Sequence, residues 1–374
     1  MRLKSLETVP VAYPEPNDSG STRCLLFVRA TDEDGRTGWG EAVTMWPEAT
    51  LAAGEVVAGF ERLLAGVEFE HPQEVWDLLA AHTWWYGNGG IAAFAISAVD
   101  IAVWDLVGRA RGVSVLDMLG GARHPSLPAL ISCHAMDGNL ERLVATLAGW
   151  VSGAKAQGVK VAFGKRGEAR LGYERQRDLT FLQLLREALG PGARIMVDIS
   201  ATLHWDVATA VERAHDWEPL DIAWVEEPLG ADNPAGYQAL RAATSIPIGY
   251  GEREWTARGV ERIVQTGTVD VVGIDPGRLE GITGFMRAAG AVAAGGARVN
   301  AHAWSSVVVT AASLAASLAA ESSFQLEMKP LPNPMQDDVA VVPVRPREGH
   351  FYPLAGPGLG VDLDEQRLYS YRLA

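Results

Sequence analysis

Apolar and polar residues alternate over residues 2–12, 22–31 and 36–43, the period of a strand with one buried face. The turn-forming stretch DEDG at 32–35 separates the last two, so these segments are predicted to form an antiparallel meander. From residue 50 to about 119 the apolar positions recur at helical spacing, and Gly120-Gly121 ends the run. From about residue 128 the texture changes. Short apolar runs alternate with helical stretches: LPALIS (127–132), VKVAF (159–163), RIMVD (194–198), IAWVE (222–226), IPIGY (246–250), VVGID (271–275), ARVNAH (297–302) and SFQLE (323–327). Strands separated by helices imply βαβ units and a parallel sheet. Eight of them in succession most simply close into a barrel. An open doubly wound sheet is the alternative, but no glycine-rich dinucleotide fingerprint follows the first strand. The tail, 331–374, is rich in Pro and Gly and lacks helical period, so it is expected to pack back on the N-terminal region.

Composition narrows the function classes. The chain has 374 residues, 48% apolar and 21% charged, an ordinary globular composition for two domains or a barrel with an attachment. A formal net charge of −14 argues against nucleic acid and anionic membranes as partners. It does not exclude a small anionic substrate, because a bound cation can invert the local field. Two cysteines, Cys24 and Cys133, make no disulfide framework, and the N-terminus lacks the apolar core of a signal peptide. A reducing, cytoplasmic setting is therefore expected. The long apolar stretch Ile91 to Val107 is interrupted by Asp100 and Asp105 and reads as a buried helix.

In a parallel barrel the chemistry sits at the C-terminal strand ends. Here the second to eighth strands end on Lys165, Asp198, Glu226, Glu252, Asp275, His302 and Glu327, and from Asp198 onward the spacings are 28, 26, 23, 27 and 25 residues. Each spacing is about one βα unit, so seven ionisable groups can face one centre. An isolated acid at such a place usually caps the next helix. Three on successive strands, Asp198, Glu226 and Glu252, would repel unless a cation stood among them. Oxygen-only ligands suit a hard ion such as Mg²⁺. Lys165 and His302 would approach the centre from opposite sides, and Asp275 can orient the His302 imidazole and raise its basicity.

The stretches WVEEPL (224–229), YGERE (250–254), VDVVGIDPGRLEGITG (269–284), HAWSS (302–306) and FQLEMKPLPNP (324–334) resemble the enolase superfamily, in its mandelate racemase subgroup. AISAVDIAVWDLVGRARG (95–112) and GPGLGVDLD (356–364) extend the likeness over nearly the whole chain. The resemblance implies a modified (β/α)₇β barrel over 125–330, an α+β capping domain from 1–124, and a C-terminal segment, 331–374, that returns to the cap. It implies Mg²⁺ on Asp198, Glu226 and Glu252, Lys165 and the His302–Asp275 dyad as acid/base catalysts, and Glu327 as a hydrogen-bond partner of the substrate carboxylate. It also implies a homo-oligomer. The activity implied is abstraction of a proton α to a carboxylate through an enediolate. Dehydration of an acid sugar is the first expectation. Racemisation or epimerisation of a 2-hydroxy acid, and cycloisomerisation of a sugar-acid lactone, are the alternatives. A muconate cycloisomerase or dipeptide epimerase fits less well, because Asp275 stands where a lysine would be wanted.

The family usually carries Lys-x-Lys at the second strand end, whereas this chain has Phe163-Gly164-Lys165. Counting two residues back along an extended strand puts Phe163 beside Lys165 in the pocket and points Lys160 outward. On that count one carboxylate anchor is lost, which opens a further class, a member that binds metal and acid without turnover. Ser200 stands where the family often has asparagine. Glu227, of opposite parity to Glu226, is expected to pair outside the centre. His134 could line the pocket, Trp84, Trp85 and Tyr86 are core or lid, and the segments 14–20 and 44–46 resemble specificity loops.

Overall fold

Three long antiparallel strands, β1 (Leu3–Glu15), β2 (Ser21–Asp32) and β3 (Thr37–Met45), form the first sheet in the order β1-β2-β3. The structure is a computed structural model and describes residues 1–165, 167–199, 202–302 and 304–373. The expected turn closes at Asp32, whose carbonyl accepts from Gly35 N at 3.0 Å. The helical run divides into α1 (Pro47–Leu64), α2 (Pro72–Thr83), α3 (Ile91–Arg111) and the short α4 (Val115–Met118). α3 is apolar on nearly every side and is long enough to cross a membrane, but it lies in the protein core. It packs so closely under β3 that a Cβ on Gly40 would stand 1.9 Å from the Ala98 carbonyl oxygen. Only glycine permits that approach.

Eight parallel strands follow: β4 (Leu127–His134), β5 (Gly158–Ala162), β6 (Arg194–Asp198), β7 (Ile222–Glu226), β8 (Ile248–Tyr250), β9 (Val271–Ile274), β10 (Arg298–Ala301) and β11 (Ser323–Met328). Each pairs with the next, and β11 pairs with β4 through Leu326↔Ala129, so the sheet closes. Seven helices connect them: α5 (Leu140–Ala154), α6 (Arg175–Leu189), α7 (Val207–Trp217), α8 (Pro234–Ala243), α9 (Ala257–Gln265), α10 (Gly281–Ala294) and α11 (Val307–Ala319). Side-chain caps start several of them: Asn139 accepts from Arg142 N at 2.7 Å and Asp206 from Thr209 N at 2.7 Å. This is the expected (β/α)₇β barrel.

The tail adds α12 (Pro334–Asp337), β12 (His350–Phe351), antiparallel to β4, and α13 (Glu365–Ser370). It then returns to the cap: Ala12 N donates to Tyr371 O at 2.9 Å and Leu373 N to Pro10 O at 2.8 Å. Asp105 on α3 accepts from Leu359 N at 2.8 Å, from Trp39 N at 2.9 Å and from Arg109. Asp100 accepts from Thr283 N and Oγ1 on α10, at 3.0 and 2.7 Å. Both acids are thus structural fasteners of the cap, as their place on an apolar helix suggested.

Candidate active site

The parallel register sets the strand ends at one level. Ala162 pairs with Asp198, Asp198 with Glu226, and Glu226 with Gly249. Glu252 follows two residues after β8. Asp275 directly follows β9 and His302 directly follows β10, its N–H donating to Ile274 O at 3.0 Å. Above these ends and beneath the cap lies a cavity of about 410 Å³, onto which Lys165, Asp198, Glu252 and His302 all open. Asp275 stands behind His302, while Glu226 and Glu327 lie deeper.

The floor of the cavity is a dense polar network. The Lys160 ammonium donates to Glu226 Oε1 at 2.6 Å and stands 2.7 Å from Glu327 Oε1. Trp224 Nε1 donates to Glu226 Oε2 at 2.9 Å, Asn300 Nδ2 to Glu327 Oε1 at 2.5 Å, and Gln325 Nε2 to Asn300 Oδ1 at 2.9 Å. Burial works against the charged ammonium, but Glu226 and Glu327 hold Lys160 protonated well above its ordinary range. Burial pushes the Glu226 carboxyl up against the pull of Lys160, and Asp198, Glu327 and Glu252 add to that push. The Oε2 of Glu327 is buried and unpartnered among the described residues. Four acids crowd one ammonium, which is the signature of a site short of positive charge. The donors are all oxygens, as a hard divalent cation requires. Among the described residues no three metal-ligating side chains are gathered around one point, and both Glu226 oxygens are turned to Lys160 and Trp224.

This floor corrects the expected parity. Lys160 points inward, and Phe163 points out of the barrel between the helices, fully buried with ring centroids 5.9 Å from Phe181 on α6 and 6.0 Å from Trp217 on α7. The physical reason is that β5 ends at Ala162 and Gly164 takes φ +69°. Alternation therefore cannot be counted back from Lys165. The residue that shares the inward face with Lys160 is Ala162, which lines the cavity. The signal was present in the chain: Val159, Val161 and Phe163 make the apolar face that meets the helices, so the intervening residues face the barrel axis.

Across the cavity His302 Nδ1 meets Asp275 Oδ2 at 2.9 Å, and Nε2 stands 4.0 Å from Glu252 Oε2. Burial opposes a charged imidazole, yet the hydrogen bond and charge of Asp275 lift the His302 pKa above its ordinary value. Burial also opposes ionisation of Glu252, but Arg278, His302, Lys160 and Lys165 hold its carboxyl below the usual range. Lys165 arrives from the opposite wall, where its charge also helps to keep the His134 imidazole neutral, after the larger effect of burial.

The cap closes the cavity through contacts that sequence reading missed. Asp18 accepts from His134 Nδ1 at 3.0 Å and pairs with Arg23 at 3.3 Å, while His134 stacks on Trp304 at 4.4 Å and Arg23 lies 5.0 Å over the same ring. Glu41 on β3 accepts from Ser306 N at 3.1 Å, from Ser306 Oγ, and from Val309 N at 3.3 Å, so a cap carboxylate holds the start of α11, just after His302. Val43 N donates to Gly277 O at 3.0 Å. Apart from Asp18 and Arg23, these partners are more than 100 residues apart and carry no local signal. Met45 and Trp46 line the cavity, as the resemblance to specificity loops implied. Glu227 pairs with Arg253 at 2.8 Å and takes no part in the floor network. Trp84, Trp85 and Tyr86 are exposed, not core. Ser200 lies outside the described residues.

Residues 10–120 match the mandelate racemase / muconate lactonizing enzyme N-terminal domain, and residues 142–367 match the enolase C-terminal domain-like family. The D-galactarolactone cycloisomerase of Agrobacterium fabrum is 27% identical over 361 residues, 94% of this chain and 92% of its own length. The L-rhamnonate dehydratase of Saccharopolyspora erythraea is 30% identical over 279 residues, 74% of this chain and 67% of its own. Among solved structures, an enolase from Bradyrhizobium complexed with magnesium and mandelic acid superposes with a TM-score of 0.87 at 25% identity, covering 100% of this chain and 99% of that one. Both family matches fall on the parts already described, one on the cap and one on the barrel, and the protein belongs to the enolase superfamily of enzymes, in its mandelate racemase and muconate lactonizing enzyme group.

Proposed function

We propose that the protein eliminates a β-oxygen from a sugar acid, giving a 2-keto-3-deoxy acid. The observation that supports this reading is that Lys165, after β5, and His302, after β10 and hydrogen-bonded to Asp275, open onto one cavity with Asp198 and Glu252. Asp198, Glu226 and Glu252 would hold Mg²⁺, whose charge stabilises the enediolate in preference to the substrate. Asp275 accepts the Nδ1 proton and leaves the Nε2 lone pair facing the cavity, so His302 takes the α-proton. Lys165, a cation, donates a proton to the β-oxygen as its bond to carbon breaks. The resulting enol tautomerises to the 2-keto acid. Glu327 on the floor would hydrogen-bond the substrate carboxylate as negative charge grows on it. Racemisation would use the same two walls, but the relatives' reactions favour elimination.

If the β-oxygen belongs to a ring, the product is an isomer of the substrate, and if it is a hydroxyl, water is lost. Relatives matched over nine-tenths or more of this chain include both a cycloisomerase and dehydratases, so ring opening and dehydration are both supported. The test is a panel of sugar acids, their lactones and anhydro forms, incubated in D₂O with chelator-treated enzyme, with and without Mg²⁺. A Mg²⁺-dependent 2-keto product is expected. Its mass, equal to the substrate or lighter by one water, decides between the readings. Magnesium binding with neither product nor deuterium at Cα for any acid would instead establish the non-catalytic class.

A further inference from the structure

Five cationic side chains, Arg23, Lys160, Lys165, Arg253 and Arg278, line the cavity. Three of the cations already have acidic partners: Lys160 has Glu226 and Glu327, Arg253 has Glu227, and Arg23 has Asp18. Among the described residues Lys165 and Arg278 have none within ion-pair distance.

Lys165 has a task in proton transfer. Arg278 does not, and a guanidinium cannot exchange its proton near neutral pH. Its planar fork is built to grip a carboxylate through two parallel hydrogen bonds. Its position is also defined. Arg278 N donates to Asp275 O at 3.0 Å, and the neighbouring Gly277 carbonyl is held by Val43 of β3. The guanidinium therefore stands on the His302 wall, directly beneath the cap, half-buried and open to the cavity. Leaving a half-buried guanidinium without an anion in the bound complex would waste a strong, directional interaction.

We infer that the substrate is a dicarboxylate, an aldaric acid or its monolactone, whose second carboxylate is bound by Arg278. This rests on the elimination reading and adds the substrate class to it. The first carboxylate lies among Asp198, Glu226 and Glu252, and the chain or ring extends along the His302 wall. The second carboxylate then neutralises the one wall cation that neither the protein nor the proton transfer employs.

The test compares hexaric acids and their monolactones with the matching aldonic acids and lactones, using the Mg²⁺-loaded enzyme. The wild type is expected to show kcat/KM for at least one diacid about a hundredfold above its monocarboxylic counterpart. Arg278→Gln should lower that ratio about thirtyfold or more, chiefly through KM, and Arg278→Lys should give an intermediate ratio because it keeps the charge and loses the fork. The ratio is insensitive to partial unfolding, which lowers both rates alike. Should Arg278→Gln not fold, the wild-type ratio and Arg278→Lys still decide. Turnover of aldonic acids at or above the rate for diacids would overturn the inference and leave the elimination standing. An unchanged ratio in both variants would remove Arg278 as the reader. No turnover of either class would sink the elimination reading itself.

Discussion

The floor and the walls of the cavity are built on opposite rules. On the floor the charges are paired within the protein: Lys160 lies between Glu226 and Glu327, Trp224 holds the other Glu226 oxygen, and Asn300, itself held by Gln325, shares Glu327 Oε1. On the walls Lys165 and Arg278 face the cavity without an acidic partner among the described residues, and His302 presents a free Nε2. Both regions hang on the same barrel and share the same low-dielectric surroundings. The difference is that pairing stabilises a buried charge and also makes it inert. Groups that must grip or move something else have to be left incomplete, and their cost is carried by the scaffold.

This contrast can be broken at the walls first, where the largest effects fall. His302→Asn and Lys165→Ala should each lower kcat about 10³- to 10⁴-fold with little change in thermal midpoint. Wild-type-like turnover in either variant would remove that group from the chemistry. At the floor the balance reverses. Lys160→Met leaves two carboxylates facing each other and should cost about 3–5 kcal/mol of stability in urea unfolding. Adding Glu327→Gln should restore part of that loss, and full additivity of the two changes would show that the network is not coupled.

A third case sharpens the rule, because it is a buried acid held by hydrogen bonds and no cation. Burial lifts the Asp100 carboxyl from 3.8 to about 7, against the hydrogen bonds from Thr283. The folded protein thus holds that proton more tightly than the unfolded chain. The contribution is fully present below about pH 4 and is lost as pH rises through about 7, a change on the order of 2–4 kcal/mol. Asp100→Asn should therefore gain in thermal midpoint relative to wild type between pH 4 and 8. A constant difference across that range would refute the assignment. The smallest effect belongs to Phe163. Phe163→Leu should cost about 1–1.5 kcal/mol and leave substrate preference unaltered, because its ring packs against Phe181 and Trp217 outside the barrel. A changed preference would return it to the pocket.

Much of this arrangement was legible in the chain. A parallel barrel repeats one unit, so strand ends about 25 residues apart identify residues that share a level, and Asp198, Glu226, Glu252, Asp275 and His302 all follow that rule. The rule fails where a strand stops early. Gly164 turns the chain, Lys165 reaches the cavity from a loop, and parity counted through that turn put Phe163 and Lys160 on the wrong sides. Arg278 was inside a stretch that carried the family likeness, but a loop residue's direction depends on what the loop packs against. The cap contacts of Asp18, Arg23 and Glu41 depend on partners 100 or more residues away for Asp18 and Glu41, and no local pattern encodes them.

Glu41 has a consequence for how substrate gets in. It is a cap side chain that holds the start of a barrel helix, and that helix begins five residues after His302. A cap that swung open as a rigid lid would drag the start of that helix with it and disturb His302. Entry of substrate that keeps this site intact therefore leaves β3 seated. In mechanical terms Glu41 is a rivet: it makes the roof of the cavity and the wall that carries His302 one piece.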